Sequence, residues 1–256
     1  MALYKDQFNG RYDFPVYEGA ARKFVVIAST GRSGSHMLGH VMHETGAFGA
    51  PFEYFNLENL LEWKRIFGAR STDDVIHRLM AKRTSENGVF SMKLHYSHLL
   101  RFGGIDAFME RFPGARFIML ERQDVLRQAV STVIARQTGV WIAGQEGSGQ
   151  KPVYDAAAID KALGEIILDT ASWRYDLSTR GLRKAELRFE DFCGDVPGGI
   201  QGIADFCEVN LPTLPETPVT TKQSGAINAE WAERFIRENA GGSLIRRRWE
   251  LLKRLV

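Results

Sequence analysis

A short apolar run, Phe24-Val25-Val26-Ile27-Ala28, breaks into the small-residue stretch Ser29-Thr30-Gly31-Arg32-Ser33-Gly34-Ser35, and apolar residues then resume at helical spacing from His36 (Met37, Leu38, Val41, Met42). The run suits a central strand buried on both faces, and Gly46 suits the end of the helix. A strand, a glycine-rich turn and a helix in that order gather unpaired backbone N–H groups around an anion-sized hollow. Glycines keep side chains out of the hollow, Ser33 and Ser35 add hydroxyl donors, and Arg32 adds a permanent charge matched to phosphate oxygens.

The rest of the chain repeats the alternation. Helices are predicted near 57–67 and 72–82, strands at 89–94, 115–120 and 185–189, a helix after the capping Asp124, and a long helix over 155–179. Residues 144–150 are polar and glycine-rich, an exposed loop, and 208–227 reads as an extended proline-bearing segment. Strands alternating with helices predict an α/β fold, P-loop-like and three-layered, with a central mostly parallel sheet flanked by helices. Ligands of such sheets bind beyond the carboxyl ends of the strands, so the loops after Ala28, Leu94 and Leu120 converge.

Composition narrows the classes. With 44% hydrophobic and 25% charged residues the chain is neither disordered nor low-complexity. Its 256 residues suit one domain, with a core over about 22–240 and a basic C-terminal helix over 243–256. Thirty-three Lys and Arg against thirty-one Asp and Glu leave a formal charge of +2, too little for a protein that coats nucleic acid. That tail holds five Lys and Arg against one Glu, a local +4 that leaves the rest of the chain at −2, and the stripe Ile245, Trp249, Leu252, Val256 suits docking on the body or on a membrane surface. Cys193 and Cys207 read as small buried residues of a reducing compartment. No apolar run reaches the ~20 residues of a membrane span, and the N-terminus lacks a secretory h-region, so the expected location is the cytoplasm.

The glycine-rich loop departs from the G-x-x-x-x-G-K-[ST] pattern, because Ser33-Gly34-Ser35-His36 supplies no lysine to grip β- and γ-phosphates. A small-molecule kinase using Glu121 or Asp124 near magnesium is therefore the weaker enzymatic alternative. A nucleotide-binding scaffold without catalysis is a third reading. Arg122 leaves the strand that ends at Glu121, and Ser131, nine residues on, faces back toward the sheet, so the pair can clamp a second phosphate.

Together these residues resemble the sulfotransferases that use 3′-phosphoadenosine-5′-phosphosulfate (PAPS). More narrowly they resemble the bacterial branch typified by trehalose 2-sulfotransferase, with its lipopolysaccharide and Nod-factor types. Gly49-Ala50-Pro51-Phe52-Glu53-Tyr54-Phe55 is similar to that branch's G-x-P-x-E-[YF]-F segment. Gln128-Ala129-Val130-Ser131 with Ala135-Arg136-Gln137-Thr138-Gly139-Val140-Trp141 is similar to its Q-A-V-S…A-x-Q-T-x-x-W helix, and Lys222-Gln223 with Asn228-Ala229-Glu230-Trp231 to its C-terminal block.

The resemblance implies that Arg32, Ser33, Gly34, Ser35 and His36 bind the 5′-phosphosulfate and that Arg122 and Ser131 bind the 3′-phosphate. Lys222 and Gln223 would close over the nucleotide. The family usually has Thr where His36 stands, which leaves the imidazole or the Ser35 hydroxyl to make that contact. Glu53 is implied as the base that deprotonates the acceptor. Its rival is His95, which shares a strand face with Lys93, as in the K-x-H segment of animal enzymes. Lys93 would steady the transferring group or the leaving phosphate. Glu190-Asp191 resembles an acidic pair that supports structure. The acceptor implied is a hydroxyl of a carbohydrate or glycolipid; no metal is expected, and related enzymes are often homodimers.

Overall fold

The computed structural model describes residues 5–142, 145–215 and 225–239. Lys222, Gln223 and the basic tail over 243–256 lie outside them. Four strands, β1 (Lys23–Ser29), β2 (Val89–His95), β3 (Arg116–Glu121) and β4 (Lys184–Arg188), form one parallel sheet in the order β2-β1-β3-β4. The register sets Ser29 level with both His95 and Leu120, so three strand ends open at one height.

Ten α-helices are described: α1 (Ser35–Glu44), α2 (Leu57–Phe67), α3 (Thr72–Arg83), α4 (Tyr96–Leu99), α5 (Ile105–Arg111), α6 (Val125–Thr138), α7 (Ala156–Thr179), α8 (Phe189–Gly194), α9 (Val196–Cys207) and α10 (Ala226–Asn239). Alternate strand residues divide between two cores. Val26, Ala28, Phe90, Met92, Phe117 and Met119 pack with Trp63, Phe108, Phe112 and Trp173 on one side. Val25, Ile27, Ile118 and Leu120 pack on the other against Leu38, Val41 and Met42 of α1 and Ile200, Ile203 and Cys207 of α9. This is the expected three-layer arrangement, with each fully buried side chain contributing about 1.5–3 kcal/mol. A satellite core joins Val130 and Val133 of α6, Ile159 and Ile166 of α7, and Trp231 and Phe235 of α10.

Several helix starts follow local chemistry. Asp124 accepts from Arg127 N at 2.9 Å to cap α6, and Asp155 accepts from Ala158 N at 2.9 Å to cap α7. Helix α9 is not anticipated, since Gly198, Gly199 and Gly202 each cost about 1 kcal/mol in a helix. Asp195 caps it, accepting from Gly198 N at 2.9 Å, and its buried stripe Val196, Ile200, Ile203, Ala204, Cys207 outweighs the glycines. One expectation is corrected. Only Cys207 is buried, its thiol pushed up to about 12 by burial, whereas Cys193 is exposed because α8 turns it outward. Among the described residues no helix is long and apolar enough to cross a membrane.

Candidate active site

The turn from β1 to α1 takes its shape from two residues with positive φ. Gly34 has φ 93°, and a Cβ there would meet the Phe189 ring at 2.0 Å, so only glycine fits. Arg32 sits at φ 62°, a left-handed conformation uncommon for a side chain of its size. Gly34 brings no side-chain cap to α1, which leaves the first N–H groups of the helix pointing into the hollow. Ser33 and Ser35 are buried, and Ser33 Oγ has no hydrogen-bond partner among the described residues. A buried hydroxyl left unpaired beside an uncapped helix start fits an anionic ligand. His36 packs edge-on to His40 at 4.5 Å between ring centroids, along the flank of α1.

The loop is pinned from behind by a residue not singled out from sequence. Gln128, buried on α6, donates from Nε2 to Thr30 Oγ1 at 2.8 Å and to the Gly31 carbonyl at 2.7 Å. Trp173 Nε1 adds a 3.4 Å bond to the Ser29 carbonyl.

Arg32, Arg122 and Ser131 come together. Arg32 Nε donates to Ser131 Oγ at 2.9 Å, and its Nη1 donates to the Trp141 carbonyl. Arg122 lies over the Phe189 ring, 5.0 Å from its centroid, and faces Glu190 Oε1 at 3.6 Å. Its Nη1 reaches the Arg32 carbonyl at 3.5 Å. The side chain of Arg32 thus leans to the Arg122–Ser131 side of the loop. Glu190 also accepts from Gln123 N at 2.9 Å, the supporting role expected of it.

A second cluster lies between α1 and β2. A Cβ on Gly39 would meet the Pro51 carbonyl at 2.6 Å, and this bare patch of α1 lets the 49–55 segment approach. Lys93 N donates to the Phe52 carbonyl at 2.9 Å, so the segment runs along the outer edge of β2. Glu53 is thereby held against Lys93, with Nζ 2.6 Å from Oε2 and only 11% and 12% of the two side chains exposed. Asn56 Nδ2 donates to Oε1 at 2.8 Å while its own Oδ1 caps α2, and Asn59 Nδ2 donates to the Glu53 carbonyl at 2.6 Å. His98 Nε2 approaches Oε1 at 3.8 Å, and its ring stacks on His95 at 4.9 Å and 22°.

Burial alone would raise the Glu53 pKa; the Lys93 ammonium, aided by His95 and His98, outweighs it and holds the carboxyl far below the usual range. Burial lowers the pKa of His95, against the pull of Glu53. Burial and His95 bring His98 down to about 3. The cluster is therefore one anion, one ammonium and two neutral imidazoles at neutral pH. Ligand atoms of Glu53, His95 and His98 lie within 4.8 Å of one another, the composition of a zinc site. Lys93 occupies one carboxylate oxygen, and His98 Nδ1 accepts from His95 N at 3.4 Å, which leaves the proton on the Nε2 that faces Glu53. Those bonds tie Glu53 to Lys93 and orient His98, while His95 Nε2 is buried with no hydrogen-bond partner among the described residues.

Apart from the His36 ring, which lies against His40, the expected site residues within the described part fall into these two clusters at the sheet's carboxyl end. Gln128, Asn56, His98 and Phe189 are additional. Gln128 was visible in the Q-A-V-S block and His98 as the i+3 neighbour of His95, but neither carries a signal of its partner.

The profile of the family described as Stf0 sulphotransferase matches residues 24–238. Trehalose 2-sulfotransferase of Mycobacterium tuberculosis (strain ATCC 35801 / TMC 107 / Erdman) is 25% identical over 255 residues, covering 84% of this chain and 95% of that protein. The crystal structure of a sulfotransferase from Alicyclobacillus acidocaldarius superposes with a TM-score of 0.53 at 14% identity, covering 86% of this chain and 93% of that one, a likeness of fold.

Proposed function

We propose that this chain, which belongs to the Stf0 sulphotransferase family, moves a sulfuryl group from PAPS to a hydroxyl of a carbohydrate acceptor. The observation that carries the reading is the pair of clusters at one end of the sheet: an anion hollow with paired arginines, and beside it a buried carboxylate bound to a lysine. Trehalose, the acceptor in the name of the M. tuberculosis relative, is the first disaccharide to test, and a glycolipid built on such a sugar is the second.

In this mechanism the hollow of Ser33, Gly34 and Ser35 takes the 5′-phosphosulfate with backbone N–H groups and hydroxyls. Arg32 shares the 3′-phosphate side with Arg122 and Ser131. His36, turned toward His40, contributes to the hollow through its backbone. Glu53 accepts the acceptor's proton, and His95 and His98 stay neutral beside it. Lys93 neutralises charge developing on the leaving phosphate. The by-product is adenosine 3′,5′-bisphosphate, and no step requires a metal.

The test is transfer from labelled PAPS to trehalose and a glycan panel, before and after dialysis against EDTA, with parallel titrations of adenosine 3′,5′-bisphosphate and ATP–Mg. Sulfate transfer that survives chelation and tighter binding of the bisphosphate are expected. Tighter binding of ATP–Mg would overturn the reading.

A further inference from the structure

The ion pair at the centre of the site poses a chemical problem. A base is effective when its proton affinity lies near the working pH, yet Glu53 is bonded through Oε2 to an ammonium 2.6 Å away, in a nearly closed pocket. Left so, the oxygen that must take a proton is already covered. We propose that the Lys93–Glu53 pair is a masked base which the donor itself unmasks: the anionic phosphosulfate draws the Lys93 ammonium off Oε2, and only then does the carboxylate accept the proton of the acceptor hydroxyl. The inference rests on the sulfotransferase reading above and adds an order of events to it.

Three features of the pocket support it. The two partners are unequally anchored. Glu53 is fixed at Oε1 by Asn56 and at its carbonyl by Asn59, whereas Lys93 reaches it on a flexible four-carbon stem. Separation of the pair therefore moves the lysine and leaves the carboxylate in place.

Lys93 is level with Ile27 of β1, two residues or about 6–7 Å of strand before Ser29, where the turn into the hollow begins. The donor's sulfuryl and phosphate oxygens would arrive there, carrying more negative charge than one carboxylate and offering charge-assisted hydrogen bonds. Thirdly, the remaining groups facing Glu53 cannot replace the ammonium. They are Asn56 and Asn59 from α2 and its N-cap, His95 from the end of β2 and His98 from α4, all neutral at neutral pH.

The step balances. As the acceptor oxygen forms its bond to sulfur, the hydroxyl proton passes to Glu53 Oε2. The bond from sulfur to the bridging phosphate oxygen breaks, and its electron pair stays on the leaving phosphate, where Lys93 now donates. A donor-first binding order follows, because until Lys93 leaves Oε2 the acceptor hydroxyl finds no partner there.

The experiment follows the ionisation of Glu53 by 13C NMR in protein labelled at the glutamate δ-carbon, with the resonance assigned by its loss in Glu53→Gln. Spectra are taken across pH in the free protein and with saturating PAPS without acceptor, binding being verified in the same sample by calorimetry. The expected result is a donor-induced rise in the Glu53 midpoint of at least about 1 pH unit, tenfold in proton affinity.

The donor's own charge also acts through space, so Lys93→Met is the control. It should show a raised midpoint when free and a smaller further rise with PAPS. If Lys93→Met does not fold, Lys93→Arg serves, since its planar fork stays on the carboxylate and should blunt the shift. Bound PAPS with an unchanged Glu53 midpoint, or an equal rise in the variant, would overturn the inference alone. Failure of PAPS to bind would overturn the donor assignment beneath it.

Discussion

Replacing Gln128 asks whether the anion hollow depends on its rear support. The side chain is buried and makes two hydrogen bonds to the loop, at 2.8 Å to Thr30 Oγ1 and 2.7 Å to the Gly31 carbonyl. Gln128→Met keeps the volume but removes both donors. Two lost bonds at about 0.5–1.5 kcal/mol each, with the Gly31 carbonyl left unpaired, give a destabilisation of roughly 2–4 kcal/mol. In a chain of this size that is a fall in Tm of roughly 4–16 °C. Gln128→Glu is nearly isosteric but sets a carboxylate against the Gly31 carbonyl, and so should cost more than the Met variant. Both variants should also weaken bisphosphate binding about tenfold or more, because the backbone N–H groups are no longer held in one arrangement. Differential scanning fluorimetry and calorimetric titration with adenosine 3′,5′-bisphosphate read the two effects. If Gln128→Met kept both the wild-type Tm and the wild-type affinity, the idea that α6 shapes the hollow would be wrong.

Three further substitutions or conditions test the rest of the site. Glu53→Gln should lower kcat about 10²–10⁴-fold while bisphosphate affinity holds, and His95→Gln should lower it less; the reverse order in steady-state assays would make His95 the base. Gly34→Ala combines a left-handed φ, costing about 1–2 kcal/mol, with a Cβ 2.0 Å from the Phe189 ring, costing about 1–3 kcal/mol more; a variant as stable as wild type in urea unfolding would refute that packing. Folded His43, His95 and His98 all have lowered pKa values, so between about pH 6.5 and 5 the unfolded chain binds protons that the fold refuses, and stability should fall by about 1.4 kcal/mol per unit for each group fully neutral in the fold. Glu53, also depressed, adds its loss only below about pH 4.5, where the unfolded carboxyl protonates. Tm measured at pH 7 and pH 5 should therefore drop less in His98→Gln than in wild type, and equal drops would remove His98 from the account.

The sequence exposed those parts of the site that depend on backbone geometry. Phe24–Ala28 running into a glycine-rich turn fixed the strand, the hollow and the helix, because periodicity and small residues are local properties. The placement of Arg122 and Ser131 beside one loop was legible for the same reason, as one strand end and the helix after it. The partners were not. Nothing in Gly39 announces that the backbone of Pro51 rests on it, yet that contact carries Glu53 to the edge of β2. The Lys93–Glu53 bond spans forty residues, and Lys93 and Glu53 were assigned separate tasks before the fold placed one on the other. Helix α9 was hidden because its glycines argue against a helix locally, and only burial against α1 and the sheet reverses the balance.

Helix α8 shows how a nearly neutral chain holds a concentrated cationic pocket. Two guanidinium groups crowd one loop, and each is held there by neighbours from other elements. Arg122 is positioned by the face of Phe189 and by Glu190 at 3.6 Å, too far for a tight ion pair. Arg32 donates to the Ser131 hydroxyl and to the Trp141 carbonyl. Both side chains are therefore aimed along one wall of the turn, Arg122 by an aromatic face and Arg32 through Ser131 and the Trp141 carbonyl. Phe189 does this while filling the space that Gly34 leaves empty, so the residue that shapes the hollow also aims the arginine beside it. In the other cluster Glu53 is paired directly to Lys93, with Nζ 2.6 Å from Oε2. On the proposed reading the donor meets the arginine side of the site, and the carboxylate in the other cluster stays covered until Lys93 has left it.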